Sequence, residues 1–99
     1  MKTIWKYPIH PAFECSVDLP RGAQFLDVQV QGVNQFCLWF LVDTEQPAEP
    51  RKFKVYGTGH ELPVDPGEYL GTTQMAGGSL VFHAFECPRV QADRLGAKR

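Results

Sequence analysis

The chain has 99 residues, a formal net charge of −1 and a hydrophobic fraction of 43%. That length is sufficient for one globular domain with a thin core. A nearly neutral chain creates no bulk field that would attract DNA, RNA or anionic lipid, so nucleic-acid binding ranks last among the function classes. Affinity for an anion would have to come from a local group of cations.

Cysteine usage and hydropathy indicate the compartment. The chain has three dispersed cysteines, Cys15, Cys37 and Cys87, which argues against a disulfide framework. The nearly apolar stretch 33–42 is too short to span a bilayer, and the N-terminal residues lack the apolar run of a signal peptide. We therefore expect a cytoplasmic protein that does not contact a membrane.

Short segments of alternating or β-rich character, separated by prolines and glycines, predict antiparallel β structure. The fold class is all-β, a small antiparallel sandwich or partly open barrel of about seven strands. Residues 1–87 form the single β domain, and the polar, basic tail 88–99 is expected to be disordered. Between the strands lie a loop at 43–50, a long turn at 58–67 and a hairpin at 75–79. In chain order, the predicted strands are 3–7, 13–19, 25–31, 35–42, 51–57, 68–74 and 80–86.

Two of these strands carry different patterns. In 25–31, Leu26, Val28 and Val30 point one way and polar residues the other, which is typical of a strand with one wet face. The strand 35–42 is apolar on both faces, with Trp39 on the face opposite Phe36. Such a strand is either central in a sandwich or covered by a partner chain.

The densest positive charge within the predicted domain is formed by Arg51, Lys52 and Lys54. Lys52, Lys54 and Tyr56 share one face of their strand because alternate side chains point together. Two cations beside a phenol could hold a phosphate or a base. The outward polar face of an ordinary strand has the same pattern, so a solvent-exposed face that binds no ligand is the open alternative.

A glycine-flanked turn follows, Gly57-Thr58-Gly59-His60. Glycines let backbone N–H groups approach a ligand, and the His60 imidazole could bind a phosphate or hydroxyl group. Phosphate-binding loops normally open a helix, and no helix follows here. A plain tight turn after a strand is the alternative.

Metal binding and catalysis find less support. His83 and Cys87 share a strand face but lie four residues apart, about 13 Å, which is too far for one zinc ion. We assign no metal site, no cofactor and no catalytic residue, since no activating motif surrounds any nucleophile. A hydrolase that uses His60 or His83 remains an alternative.

The order of several motifs resembles one family. The motifs are IWKYP, LDVQVQG, CLWFLVD, RKF, GTGH and YLGTTQMAGGSLVFHAFE, which lie between residues 2 and about 87. The chain is similar to a family of roughly ninety-residue proteins of phages and prophages, catalogued as a domain of unknown function. The resemblance implies a phage or prophage accessory gene expressed in bacterial cytoplasm, and it implies no activity.

The leading hypothesis is an accessory protein that counteracts host defence by sequestering a small anionic, nucleotide-like ligand as a homo-oligomer. An aromatic surface suits either ligand stacking or a subunit interface. The alternative is a protein-interaction module that inhibits a host protein through an exposed aromatic or edge-strand surface. The predicted ligand-binding residues are Trp39, Arg51, Lys52, Lys54, Tyr56, Gly59 and His60.

Overall fold

The computed structural model describes residues 1–12 and 14–89. It confirms the all-β prediction: seven antiparallel strands form two sheets that do not close into a barrel. Residues 90–99 of the predicted disordered tail lie outside the described residues. The strands are β1 (Lys2–Ile9), β2 (Cys15–Pro20), β3 (Gln24–Gln31), β4 (Gln35–Asp43), β5 (Ala48–Gly57), β6 (Glu68–Met75) and β7 (Leu80–Glu86).

The two sheets have different sizes. Sheet A contains three strands in the order β1-β4-β3, and sheet B contains four in the order β2-β5-β7-β6. The chain passes from sheet B to sheet A at the corner between β2 and β3. There the Ala23 N–H donates to the Pro20 carbonyl at 3.1 Å, and Gly22 has a φ of +83°, which favours glycine.

The doubly apolar strand is the centre of sheet A. Four alternate residues of β4 are almost wholly buried and face sheet B: Phe36, Leu38, Phe40 and Val42. Phe40 contacts Phe53 of β5, with their ring centroids 5.7 Å apart, so aromatic packing joins the two sheets. The core is therefore a layer of apolar side chains between the sheets.

Two strands are longer than predicted because each contains a proline that does not end it. Pro8 lies within β1, which is an edge strand, where a missing N–H need not cost a ladder hydrogen bond. Pro50 lies within β5, in the part that extends beyond the pairing with β7, which covers only 53–57 of this strand. The predicted loop 43–50 was therefore wrong at its last three residues, which pair with β2, and at Asp43, which ends β4.

A β-bulge changes which side chains of β3 face the core. The register with β4 shifts between Phe25 and Asp27, so Leu26 has no opposite residue. Leu26 is 46% exposed, whereas Phe25 is half-buried and contacts the Phe40 ring at a centroid distance of 5.7 Å. The prediction that Leu26 shares the inner face with Val28 was wrong, because the extra residue reverses the alternation.

Candidate functional site

The cleft that we regard as the candidate site begins where one strand loses its neighbour. Among the described residues, β2 pairs with β5 only as far as Phe53, and Pro11 and Ala12 border the end of β5 beyond that pair. Alternation in β5 turns Val55 toward the core, and Lys54 and Tyr56 away from it. The short partner strand thus leaves a recess beside these two side chains.

The recess has a volume of about 510 Å³. The Lys54 ammonium lies 5.5 Å from the centroid of the Tyr56 ring, within the range of a cation–π contact. Burial raises the pKa of Tyr56, with smaller contributions from the neighbouring Cys87 and Glu14, so the phenol stays protonated at neutral pH. Pro11, Ala12, Lys54, Val55, Tyr56, Gly57, His60, Glu61 and Phe82 line the cleft.

His60 reaches this cleft because its turn folds back on the strand. Its N–H donates to the Gly57 carbonyl at 3.1 Å. The imidazole lies against the Gly57 α-carbon, since a Cβ on Gly57 would be 2.9 Å from His60 Cε1. Gly59 has a φ of +88°, so it supplies the conformation of the turn but does not line the cleft.

The other predicted binding residues lie apart from the cleft. The Arg51 side chain is turned inward, 6% exposed, and donates two hydrogen bonds of 2.7 Å to Glu86. Lys52 is exposed on the outer face of sheet B but does not line the cleft, and Trp39 lies on sheet A. The structure brings together Lys54, Tyr56 and His60, with Gly59 in the adjoining turn, and does not add Arg51, Lys52 or Trp39 to them.

A hydrogen-bonded chain on the outer face of sheet B was not anticipated from the sequence. His83 Nε2 lies 2.7 Å from the Thr58 hydroxyl, and His83 Nδ1 lies 2.9 Å from the Thr72 hydroxyl. Thr72 in turn hydrogen-bonds to the Tyr69 hydroxyl. Only strand pairing places His83 between two threonines, although its position on an outer face could be read from its alternation with Ala84. Both imidazole nitrogens are engaged by neutral hydroxyl groups.

A hydrogen bond joins Cys87, which follows β7, to Glu14, which precedes β2. The Cys87 thiol donates to Glu14 Oε2 at 3.4 Å, and the Cys87 N–H donates to the Lys52 carbonyl at 2.8 Å. Burial, reinforced by the Glu14 carboxylate, raises the pKa of Cys87 to about 11. This thiol is therefore protonated at neutral pH and is a poor nucleophile.

The comparison with known families gives a definite result. A family model described as a domain of unknown function, DUF7352, matches residues 1–94. The chain belongs to this family. No curated protein and no solved structure matches the DUF7352 chain significantly. The prediction of a family of unknown function is confirmed, and the family description itself assigns no activity to the cleft.

Three further observations concern the described part of the DUF7352 chain. No three histidine, cysteine, aspartate or glutamate side chains within residues 1–12 and 14–89 come close enough to form a metal-binding group. Within the same residues, the structure has no helix with the length and apolarity needed to cross a bilayer. Cys15, Cys37 and Cys87, all among the described residues, are not joined by a disulfide, and Cys37 is fully buried.

Proposed function

We propose that this domain binds a small anionic, nucleotide-like ligand in the β5 cleft and does not convert it chemically. The observation that carries the proposal is the convergence of Lys54, Tyr56 and His60 on one recess. An ammonium group complements a phosphate through charge-assisted hydrogen bonds. An aromatic ring beside it can stack on a base, which contributes about 1–3 kcal/mol per base in single-stranded nucleic-acid complexes.

The remaining lining supports an orientation of the ligand. Val55 and Phe82 offer apolar surface suited to the faces of a base. The Glu61 carboxylate repels phosphate and accepts hydrogen bonds from amino groups, so it favours the base on its own side. The phosphate would then lie toward Lys54.

The state of the nearby reactive groups supports binding without turnover. The raised pKa of Cys87 keeps its thiol protonated at neutral pH. His83 already shares both ring nitrogens with Thr58 and Thr72. A general base needs a free nitrogen within hydrogen-bond reach of the proton it takes, and His60 is the imidazole of the cleft that would have to provide it. The position of the His60 imidazole over Gly57 suits stacking on the ligand.

Calorimetry and thermal shift against linear and cyclic nucleotides test the proposal. We expect stabilisation by at least one nucleotide, and Lys54→Gln should weaken its binding by about tenfold or more, since a hydrogen bond to a charged group contributes about 1.5–3 kcal/mol. Arg21→Gln is the matched control because it removes the same charge at the exposed β2–β3 corner. The proposal fails if no nucleotide stabilises the protein at millimolar concentration.

A second variant tests the cleft geometry and not the charge. Gly57→Ala places a methyl group 2.9 Å from His60 Cε1, so the exposed imidazole must move away from its position in the cleft. We expect weaker nucleotide binding with little loss of stability, and we expect His60→Ala to weaken binding similarly. Combining the two substitutions should cost no more than either alone. Full affinity in Gly57→Ala would exclude a role for the imidazole.

The biological setting belongs to the same proposal. We infer a phage or prophage protein in the bacterial cytoplasm that counteracts host defence by sequestering a nucleotide signal, and the support is the motif order described above. The proposal includes self-association, because the cleft lies on sheet B and leaves the outer face of sheet A accessible to a second copy. Expression of the protein should restore phage plating on a host with a nucleotide-signalled defence system. The Lys54→Gln variant should not, and equal plating by both would contradict the inference.

A protein-interaction module is the second candidate because of one surface feature. The rings of Tyr56, Phe85 and Tyr69 form a row across β5, β7 and β6, with centroid separations of 5.6 and 5.5 Å. Tyr69 is 56% exposed. Exposed tyrosines are frequent anchors of protein interfaces. Loss of binding to an identified host protein in Tyr69→Ser, with retention in Lys54→Gln, would favour this candidate over the nucleotide ligand.

A further inference from the structure

The outer face of sheet A carries apolar surface that the described residues cover only in part, since Trp39 and Leu41 are half-buried and Cys37 is fully buried. Trp39 and Leu41 alternate with fully buried residues of β4, so their side chains point away from the core. Ile4 pairs with Leu41 on the neighbouring strand and is 57% exposed. Among residues 1–12 and 14–89, all seven strands belong to the two sheets, and none forms a third layer over this face.

One row of charge crosses the middle of this face, and a second pair of charges, Lys2 and Asp43, lies at its end, where Asp43 is already paired with the Met1 ammonium at 3.4 Å. Lys6 of β1 pairs with Trp39 of β4, and Trp39 pairs on its other side with Asp27 of β3. Paired residues point to the same side of a sheet. The row therefore reads cation, indole, carboxylate from one edge of the sheet to the other.

We propose that this face binds a second copy of the chain, about a two-fold axis parallel to β4. Such an axis lays β1 of one copy over β3 of the other and keeps the rows level. Lys6 of each copy then faces Asp27 of the other copy, which gives two ion pairs, and the two Trp39 side chains meet on the axis. A two-fold axis at right angles to β4 would place lysine against lysine and aspartate against aspartate, so the charge row selects the parallel axis.

The dimensions agree with this arrangement. Sheets packed face to face lie about 10 Å apart, a gap that a lysine and an aspartate can close together. Lys6 Nζ already lies 2.7 Å from Gln31 Oε1 on β3, so the side chain extends across the sheet and would exchange a neutral partner for a charged one.

Area sets the expected strength of the dimer. Three strands of eight or nine residues, spaced about 4.8 Å apart with about 3.3 Å per residue, give a face of roughly 400 Å² in each copy. The total of roughly 800 Å² is below the 1,200–2,000 Å² of stable interfaces, so we expect a weak dimer that depends on concentration. The inference is independent of ligand binding, because the cleft lies on sheet B and either can fail without the other.

Sedimentation equilibrium across micromolar to millimolar protein tests the dimer. We expect the average mass to approach twice that of the chain at the upper end. Lys6→Asp and Asp27→Lys should each raise the dissociation constant by about tenfold or more, as coupling energies of close interfacial charge pairs allow. The doubly exchanged chain, Lys6→Asp with Asp27→Lys, should recover most of the affinity. Arg21→Glu and Asp18→Lys are the matched charge reversals outside this face and should leave the mass unchanged.

Two further variants keep the test decisive. Asp27 also accepts the Val28 N–H at 2.8 Å, so Asp27→Lys could disturb the bulge. Trp39→Arg places two cations on the axis while it keeps Asp27 and its hydrogen bond to the Val28 N–H, and it should give a monomer. A monomer at every concentration overturns the proposal, and so does a dimer that Trp39→Arg and Lys6→Asp leave intact. Dimerisation that begins only when residues 90–99 are removed would show that the tail occupies the face, which also overturns it for the whole chain.

Discussion

Arg51 of β5 and Glu86 of β7 form a bidentate ion pair inside the domain, with both hydrogen bonds at 2.7 Å. The same guanidinium donates to the Ala23 carbonyl at 2.8 Å and lies 5.4 Å from the Phe40 ring centroid. The hydrogen bond to Glu86 raises the pKa of Arg51 above its ordinary value, so the charge is permanent. One side chain thus joins sheet B, the β2–β3 corner and the aromatic core.

Breaking this pair should destabilise the domain strongly. Glu86→Gln leaves the buried Arg51 charge without its carboxylate, and breaking a buried pair in this way typically costs about 3–5 kcal/mol. Arg51→Met leaves Glu86 with the longer contact to Arg89 Nε at 3.8 Å, so its loss should be somewhat smaller. Arg51→Met combined with Glu86→Leu should cost less than the sum of its single substitutions, because neither charge remains. Urea unfolding of the three variants measures this, and additive losses would contradict a coupled pair.

The close approach of the two sheets predicts the effect of one methyl group. A Cβ on Gly71 of β6 would lie 2.7 Å from Val28 Cγ1 of β3. Gly71→Ala should therefore cost about 1–3 kcal/mol through overpacking. Val28→Ala in the same chain should recover part of that loss in thermal unfolding, whereas Val30→Ala, further along β3, should not. Equal behaviour of the two double variants would contradict a specific contact.

The β-bulge predicts opposite outcomes at adjacent residues. Phe25→Ser removes a half-buried ring that contacts Phe40, so we expect a loss of about 1–3 kcal/mol, less than for a fully buried aromatic residue. Leu26→Ser replaces an exposed residue and should change the free energy of unfolding by less than about 0.5 kcal/mol. Denaturant unfolding compares the two. A larger loss for Leu26→Ser would mean that the alternation runs without a bulge.

The Cys87–Glu14 contact predicts a pH-dependent thiol. The folded pKa of about 11 lies above the ordinary 9.0, so the folded state holds the thiol proton more tightly than the unfolded state does. The stability associated with this group is fully present below about pH 9 and is lost as the pH rises toward about 11. Glu14→Gln removes a negative neighbour and should lower the pKa of Cys87.

Alkylation followed by peptide mass spectrometry checks this thiol directly. At mildly alkaline pH, Cys87 should react faster in Glu14→Gln than in the unaltered chain, because more of it is thiolate. Glu61→Gln is the matched control, since it removes a carboxylate that is not hydrogen-bonded to Cys87. The same acceleration in both variants would contradict the assigned contact.

Much of the candidate site could be predicted from the sequence, but by local pattern alone. Lys54 and Tyr56 share a face because side chains alternate along any strand, and His60 follows in a turn rich in glycine. Arg51 was grouped with the lysines by its place in the chain, although the same alternation puts it with Phe53 and Val55 on the core side. Its partner Glu86 lies 35 residues away, and no pattern in the sequence around Arg51 predicts this pairing.

The sequence by itself determined the seven strands, the doubly apolar β4 and the outward lysines, because hydrophobic alternation is a property of each segment alone. Tertiary structure decided what depends on partners. It decided that β2 ends at the level of Phe53 and leaves a cleft, that a bulge exposes Leu26, and that His83 meets two threonines. Strand order and register are relations between distant segments, so no pattern within one segment contains them.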